Sequence, residues 1–318
     1  MSIGPKLQHN WDWRAAGNFI AGGSGAGLLL FTSIQAWMGQ DVTLYALPAS
    51  LLIMVGLGLV WLEIGRPMRS LNVFLNPRTS WMSRESIVAL GLLPLGFLSY
   101  FTHSLAILAA AAVTAMLFLY CQASILKAAK GIPAWRVREI VPYILSTGLA
   151  EGFGLLLLLN SALQPQFEVT RLLLNTALVL LLGRMVFWHR YWRVLSTEAP
   201  TRTIKVLNAA YPVFFLIGFL VPTVLIISAR LQLTNPIILS LITGFCMILA
   251  GWMSKMTIIT RAAYNQGYAI PVTPSRGGGK PGPGLTPGWK TRNTTQATLD
   301  RNLSENSSIT NLPRRNHV

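Results

Sequence analysis

Six ionisable side chains stand inside or at the ends of long apolar runs: Glu63, Glu85, Glu151, Arg184, His189 and Lys255. A charge in hydrocarbon is costly, so such residues are candidate functional groups by default. Carboxylates placed there can exchange protons, and arginine or histidine can donate to a polar ligand or keep a carboxylate charged. Five of the six are expected at one membrane boundary. Glu63 ends the second apolar run, Glu85 begins the third, Arg184 lies about 1.5 turns inside that boundary, His189 sits on it and Lys255 closes the last run there. Glu151 is expected near mid-membrane, within Gly148-Leu149-Ala150-Glu151-Gly152-Phe153-Gly154, either paired to a neighbouring helix or serving as a proton relay.

The densest constellation runs from Trp61-Leu62-Glu63-Ile64-Gly65-Arg66-Pro67-Met68-Arg69-Ser70-Leu71-Asn72 to Asn76-Pro77-Arg78-Thr79-Ser80-Trp81-Met82-Ser83-Arg84-Glu85. It reads as a helix end, a Gly/Pro turn, a basic loop and a new helix start. Four arginines, two tryptophans and two boundary glutamates within 25 residues exceed what interfacial anchoring alone requires. Trp61 and Trp81 could stack on a ring or anchor their helices.

Other chemistries are poorly served. His9, His103, His189 and His317 are too scattered to supply two facing axial ligands for a haem, and Cys121 and Cys246 sit singly in apolar runs. The chain is therefore expected to carry no haem and no metal of its own. The run Gly22-Gly23-Ser24-Gly25-Ala26-Gly27 lacks the third glycine spacing and the preceding strand of a dinucleotide site. Gly23 and Gly27 are expected to let helices approach closely instead.

The elements that hold these residues follow from composition. Of 318 residues 52% are hydrophobic and 11% charged, against the ~25% charged of a soluble domain. That excludes a soluble enzyme, a disordered chain and a disulfide scaffold. A window of about 19 residues finds eight apolar runs near 15–38, 44–62, 86–101, 104–126, 140–162, 170–189, 207–229 and 236–255. The predicted fold class is an all-α integral membrane protein, an eight-helix bundle. Thr102, His103 and Ser104 should close a tight hairpin between the third and fourth spans. Lys6, Arg14, Arg66, Arg69, Arg78, Arg84, Lys127, Lys130, Arg136, Arg138, Arg190, Arg193, Arg202 and Lys205 fall on one side, against Arg171 and Arg230 on the other. The bias places both termini in the cytoplasm. The expected organisation is a short N-terminal segment 1–14, a transmembrane domain 15–262 and a basic Pro/Gly/Ser/Thr-rich tail 263–318. That composition cannot bury enough surface to order the tail by itself.

The segment from Glu63 to Glu85 resembles the membrane-anchor subunits of the dimethyl sulfoxide reductase family, within the wider group that includes the polysulfide reductase anchor. Gly65, Pro67 and Arg69 take the places of that family's Gly-x-Pro-x-Arg turn, Asn72 those of its following asparagine, and Ser80 or Ser83 with Glu85 those of its helix start. The match is specific over roughly 25 residues; elsewhere it is hydropathic, apart from Arg261 at the end of the last helix. Where the family has a histidine two residues before the turn glycine, this chain has Glu63. The wording Ser80-Trp81-Met82-Ser83-Arg84-Glu85, the start Trp11-Asp12-Trp13-Arg14 and the stretch from Lys255 to Tyr268 are most similar to the branch serving cytoplasmic sulfite dehydrogenases and phenylacetyl-CoA acceptor oxidoreductases.

The resemblance implies a quinone-binding anchor (ubiquinone or menaquinone) in a bacterial cytoplasmic membrane. Its partners would be a four-cluster iron–sulfur subunit and a molybdopterin catalytic subunit, with sulfite oxidation the favoured chemistry. In that reading Glu63 and Glu85 exchange protons with the quinone, and Trp61, Arg66, Arg69, Trp81, Arg84, Arg184 and His189 surround it. Arg78, Lys127, Lys130, Arg136, Arg138 and Arg261 dock the iron–sulfur subunit, and no nucleic acid is involved. The alternatives are an anchor for a phenylacetyl-CoA or dimethyl-sulfoxide-type oxidoreductase and, from another class, a secondary transporter using Glu151 and Arg184. No internal repeat of the kind transporters carry is visible between the two halves.

Overall fold

The computed structural model describes residues 4–63, 67–163, 169–231, 235–267, 270–273 and 282–285. Arg66 and most of the basic tail lie outside the described residues, and for Arg69 the backbone alone is described. Ten helices follow one another: α1 Trp13–Trp37, α2 Ala46–Glu63, α3 Trp81–Thr102, α4 Leu105–Ala128, the short α5 Pro133–Arg136, α6 Ile140–Leu163, α7 Arg171–Glu198, α8 Thr201–Phe215, α9 Val221–Arg230 and α10 Pro236–Met256. A π-helical turn Leu216–Leu220 joins α8 to α9, and another, Thr257–Arg261, extends α10. Among the described residues, eight helices are long and apolar enough to cross a membrane. The chain has the architecture of an all-α, multi-pass membrane protein.

The helices start where side chains satisfy their first backbone N–H groups. Asp12, Ser80, Ser104, Thr170 and Asn235 accept from the first turns of α1, α3, α4, α7 and α10. Pro236 stands in the first turn of α10, where its missing N–H costs nothing. His103, at φ 52°, takes the left-handed conformation that ends α3 and closes the expected hairpin into α4.

Several helices outrun their apolar windows. The third begins at Trp81 rather than near 86, the seventh continues to Glu198 rather than stopping near 189, and the last turns on to Arg261. Hydropathy marks the stretch in hydrocarbon, whereas the helix goes on through the polar zone, where half-polar turns still bury one face.

Helix α1 is the central element, packed on α2, α4, α6 and α10. Close approach explains its glycines. A Cβ on Gly27 would run into the Gly148 carbonyl, and one on Gly152 into the Gly27 backbone; Gly23 likewise faces Gly148. Pairs of glycines four apart on α1 and α6 thus let the two backbones touch, the role expected for Gly23 and Gly27.

One end of the bundle is tied together by polar and aromatic contacts. Arg14 Nη1 donates to the Leu62 carbonyl at 2.9 Å, Trp11 stacks on Trp135 at 4.8 Å, and Trp135 Nε1 donates to the Ile258 carbonyl at 3.0 Å. Tyr191 Oη donates to the Ala134 carbonyl at 2.7 Å and Thr203 Oγ1 to that of Ala262 at 2.9 Å. Backbone bonds from Gln8 to Ala263 and from Asn265 to Lys6 clasp the N-terminal segment to the chain leaving the last helix. This end carries the basic loops; Arg171 and Arg230 lie at the opposite end, where Thr43 Oγ1 and His103 Nδ1 hydrogen-bond at 2.8 Å. Beyond the bundle, Ile270–Thr273 and Gly282–Leu285 pair antiparallel.

Candidate functional site

The Ser80 cap sets the start of α3, which brings Glu85 round on the second turn to face α1. Glu85 is 5% exposed and its Oε1 accepts from Asn18 Nδ2 at 3.2 Å. The Asn18 carbonyl accepts from Gln122 Nε2 of α4 at 3.1 Å. The side-chain oxygens of Asn18 and Gln122 are buried and have no partner among the described residues. Three helices therefore aim polar atoms at one place near the basic end.

That place is the wall between two cavities. The larger, about 530 Å³, lies among α2, α3 and the 3-10 segment Pro67–Leu75, and is lined by Leu57, Trp61, Leu71, Phe74, Leu90 and Pro94 besides Asn18 and Glu85. The smaller, about 270 Å³, is lined by Asn10, Trp11, Phe19, Glu63, Asn18 and Glu85. Asn18, Val60, Met82 and Glu85 border both. Glu63 and Glu85, at the two ends of the loop, share the smaller cavity, and Glu63 Oε1 has no hydrogen-bond partner among the described residues. Beside it, Arg14 holds the Asp12 carboxyl below the usual carboxylate range by side-chain and backbone hydrogen bonds.

The other expected site residues divide. Trp61 lines the larger cavity and is half exposed. Arg84 turns away: its Nε and Nη2 donate to the carbonyls of Pro77 and Arg78 at 2.8 Å each, and its guanidinium stacks 4.2 Å over Trp81. Trp81 meets Tyr120 edge-on at 5.6 Å. These two residues brace the loop, and neither borders the cavities. Arg78, Lys127, Lys130, Arg138 and Arg261 are exposed at the basic end, while Arg136 donates to Gln266 Oε1 at 2.6 Å.

Arg184 and Lys255 both turn inward, and for Lys255 this corrects the expectation that it closes the last span at the boundary. Arg184 stands near the middle of α7. It is fully buried; Nη1 donates to the Met247 carbonyl at 2.8 Å and Nη2 to the Gly218 carbonyl in the π-helical turn. Lys255 does not end in the polar zone either. Its Nζ reaches inward to Glu151 Oε2 at 2.7 Å and to the Phe19 carbonyl at 2.8 Å, with neither charged side chain exposed. Ser24 Oγ donates to the same Glu151 oxygen at 2.8 Å and accepts from Trp252 Nε1 at 3.0 Å. Three of the six ionisable residues thus occupy the bundle interior and two share the cavities. His189 lies in neither group: it is exposed, with Nε2 3.4 Å from Arg193 Nη2.

Asn18, Gln122, Ser24 and Trp252 were not singled out from sequence. Asn18 and Gln122 offered one signal, an uncharged amide in a long apolar run. No protein-family model matches the chain, and no curated protein is significantly similar to it.

Proposed function

We propose that the protein is the quinone-binding membrane subunit of a molybdenum/iron–sulfur oxidoreductase, with Glu85 at the quinone site. The observation that carries this reading is a buried carboxylate, fixed by Asn18, on the wall of a mainly apolar cavity near the basic end of the bundle. The cavity suits a flat ring with a greasy tail, and the unpartnered Asn18 oxygen beside Glu85 suits a ligand hydroxyl. When reduced, a quinone takes up two electrons and two protons. Glu85 holds one exchangeable proton at the larger cavity, and Glu63 a second on the side of the N-terminal segment. Trp61 flanks the ring, and the apolar lining excludes bulk water. Arg184 and His189 border neither cavity and have no part in it.

In this reading the basic end, with its excess of Lys and Arg, faces the cytoplasm and the membrane is a bacterial cytoplasmic membrane. Its exposed cations are the surface for an acidic iron–sulfur subunit, itself joined to a molybdopterin subunit that oxidises sulfite. In the assembled complex Glu85→Gln should lower quinone-coupled turnover about a hundredfold or more while dye-coupled activity persists. Loss of both with the complex intact overturns the assignment. With the chain alone, a photoreactive quinone should label the peptides holding Trp61, Leu71 or Met82; labelling confined to other helices overturns it too.

A further inference from the structure

A third cavity, of about 660 Å³, runs between α7 and the α8–α9 span and shares no residue with the Glu85 site. Its two ends differ in chemistry. At one end stand His189, Arg190, Arg193 and Asn208; toward the other the lining is Leu182, Val186, Phe215 and Phe219. None of the lining residues is acidic. The walls are fixed: Trp192 Nε1 donates to Asn208 Oδ1 at 2.8 Å across the two helices, and Trp188 stacks on Tyr211 at 6.1 Å with 8° between planes. The apolar part opens outward, since Leu182 and Val186 are 46% and 55% exposed.

Depth fits the polarity. The 28 residues of α7 rise about 42 Å, whereas the hydrocarbon core is ~30 Å thick. With Arg171 at the opposite boundary, the excess of about 12 Å puts roughly the last eight residues of α7 in the headgroup zone, Arg193 among them and Arg190 at its edge. From Arg193 down to Leu182 the groove descends about 16 Å along the helix. Cations at headgroup level above an aromatic and aliphatic trough match one kind of molecule, an amphiphile with an anionic head.

We propose that this groove is a binding site for an anionic phospholipid, its phosphate held by Arg190, Arg193 and His189 and its acyl chains laid along Leu182, Val186, Phe215 and Phe219. A free phosphate would use the rim alone and leave the trough uncovered. A zwitterionic lipid would fill the trough without matching the charge above it. The site is independent of the Glu85 cavity and of the function proposed for it.

The test uses the full chain in detergent, titrated with phosphatidylglycerol or phosphatidylcholine and read by native mass spectrometry. Wild type should retain phosphatidylglycerol in preference to phosphatidylcholine. The double variant Arg190→Gln/Arg193→Gln should weaken phosphatidylglycerol retention about thirtyfold and leave phosphatidylcholine unchanged, while Arg190→Lys/Arg193→Lys retains it. Leu182→Trp, which fills the trough, should weaken both lipids. Equal retention of the two lipids by wild type, or an unchanged titration in the Gln variant, overturns the proposal. So does complete displacement of the lipid by inorganic phosphate, which would mark a simple anion site, or by a short-chain quinone, which would mark a second quinone site.

Discussion

At the centre of the bundle Glu151 meets Lys255 at 2.7 Å, with Ser24 on the same oxygen and neither charged side chain exposed; toward the basic end Glu85 is nearly as buried but faces only the uncharged amides of Asn18, at 3.2 Å, and Gln122, with a cavity before it. Both are carboxylates on long apolar helices, and both carry the cost of lost hydration. They differ in what replaces the water. Around Glu151 the replacement is a counter-charge supplied by protein: three helices close on the pair, Lys255 and Ser24 both meet Oε2, and Oε1 is buried with no hydrogen-bond partner among the described residues. Gly23 leaves room for the Lys255 ammonium and Gly251 for the Glu151 carboxylate. Around Glu85 the replacement is partial, and the open side faces a space that a ligand can fill. Burial by itself therefore does not separate the two; a counter-charge beside one and a cavity beside the other do.

The largest expected effect lies in the closed network. Lys255→Met leaves the Glu151 carboxylate buried without its counter-charge and should cost about 3–5 kcal/mol, read from chemical unfolding in detergent. Pairing it with Glu151→Gln removes both charges and should recover most of the loss. A single-variant cost inside the roughly 0.5 kcal/mol of an ordinary surface change would break the contrast, since it would mean that water reaches Glu151.

Next comes the glycine contact that brings α1 and α6 together. In Gly152→Ala the new methyl meets the Gly27 backbone, which cannot rotate away, and the cost should be about 1–3 kcal/mol. Gly91→Ala, whose methyl meets nothing within 4 Å, is the control and should leave stability unchanged. Equal effects of the two would show that the centre yields as readily as the lipid-facing surface. Asn18→Ala should cost less than Lys255→Met, about 1–3 kcal/mol for a hydrogen bond lost from a charged group, because Glu85 keeps the cavity beside it. A cost matching that of Lys255→Met would show Glu85 to be as dependent on its protein partner as Glu151.

The two regions were unequally legible in sequence. The apolar runs located the eight long helices among the described residues, and the crowding of Glu63, Trp61 and Glu85 around one turn picked out three of the side chains that line the cavities. Spacing also pointed to Gly23 and Gly27 as packing positions. What sequence could not supply was the inward reach of long side chains. Lys255 is the penultimate residue of α10, where a lysine ordinarily extends to water, yet its four-carbon stem carries the ammonium back to Glu151. For Arg184 too, sequence did not say which groups the guanidinium would reach, the carbonyls of Met247 and Gly218. Asn18 and Gln122 escaped notice because an isolated amide in an apolar run does not say which neighbour it faces.

The smallest effect sharpens the comparison by adding the same chemistry in water. Asp12 and Arg14 form an ion pair at 2.9 Å, with about a third of each side chain exposed. Asp12 also caps α1 by accepting from the Arg14 N–H at 2.7 Å, and Asn caps as well as Asp does. Asp12→Asn therefore removes the charge and leaves the cap. Arg14 lowers the Asp12 pKa in the folded protein, so the pair's contribution is fully present above the unfolded value of about 3.9 and is lost as pH falls through the folded value. Between pH 7 and pH 5 wild type and Asp12→Asn should keep a constant, small difference, which closes at lower pH. Raising salt from 0.15 to 1 M shortens the screening length from about 8 to about 3 Å and should erase the difference at neutral pH. The same salt should leave the Lys255→Met defect intact, because no ions enter the space between Lys255 and Glu151. Should salt relieve both defects equally, the central pair is solvated, and its distinction from the Glu85 site is lost.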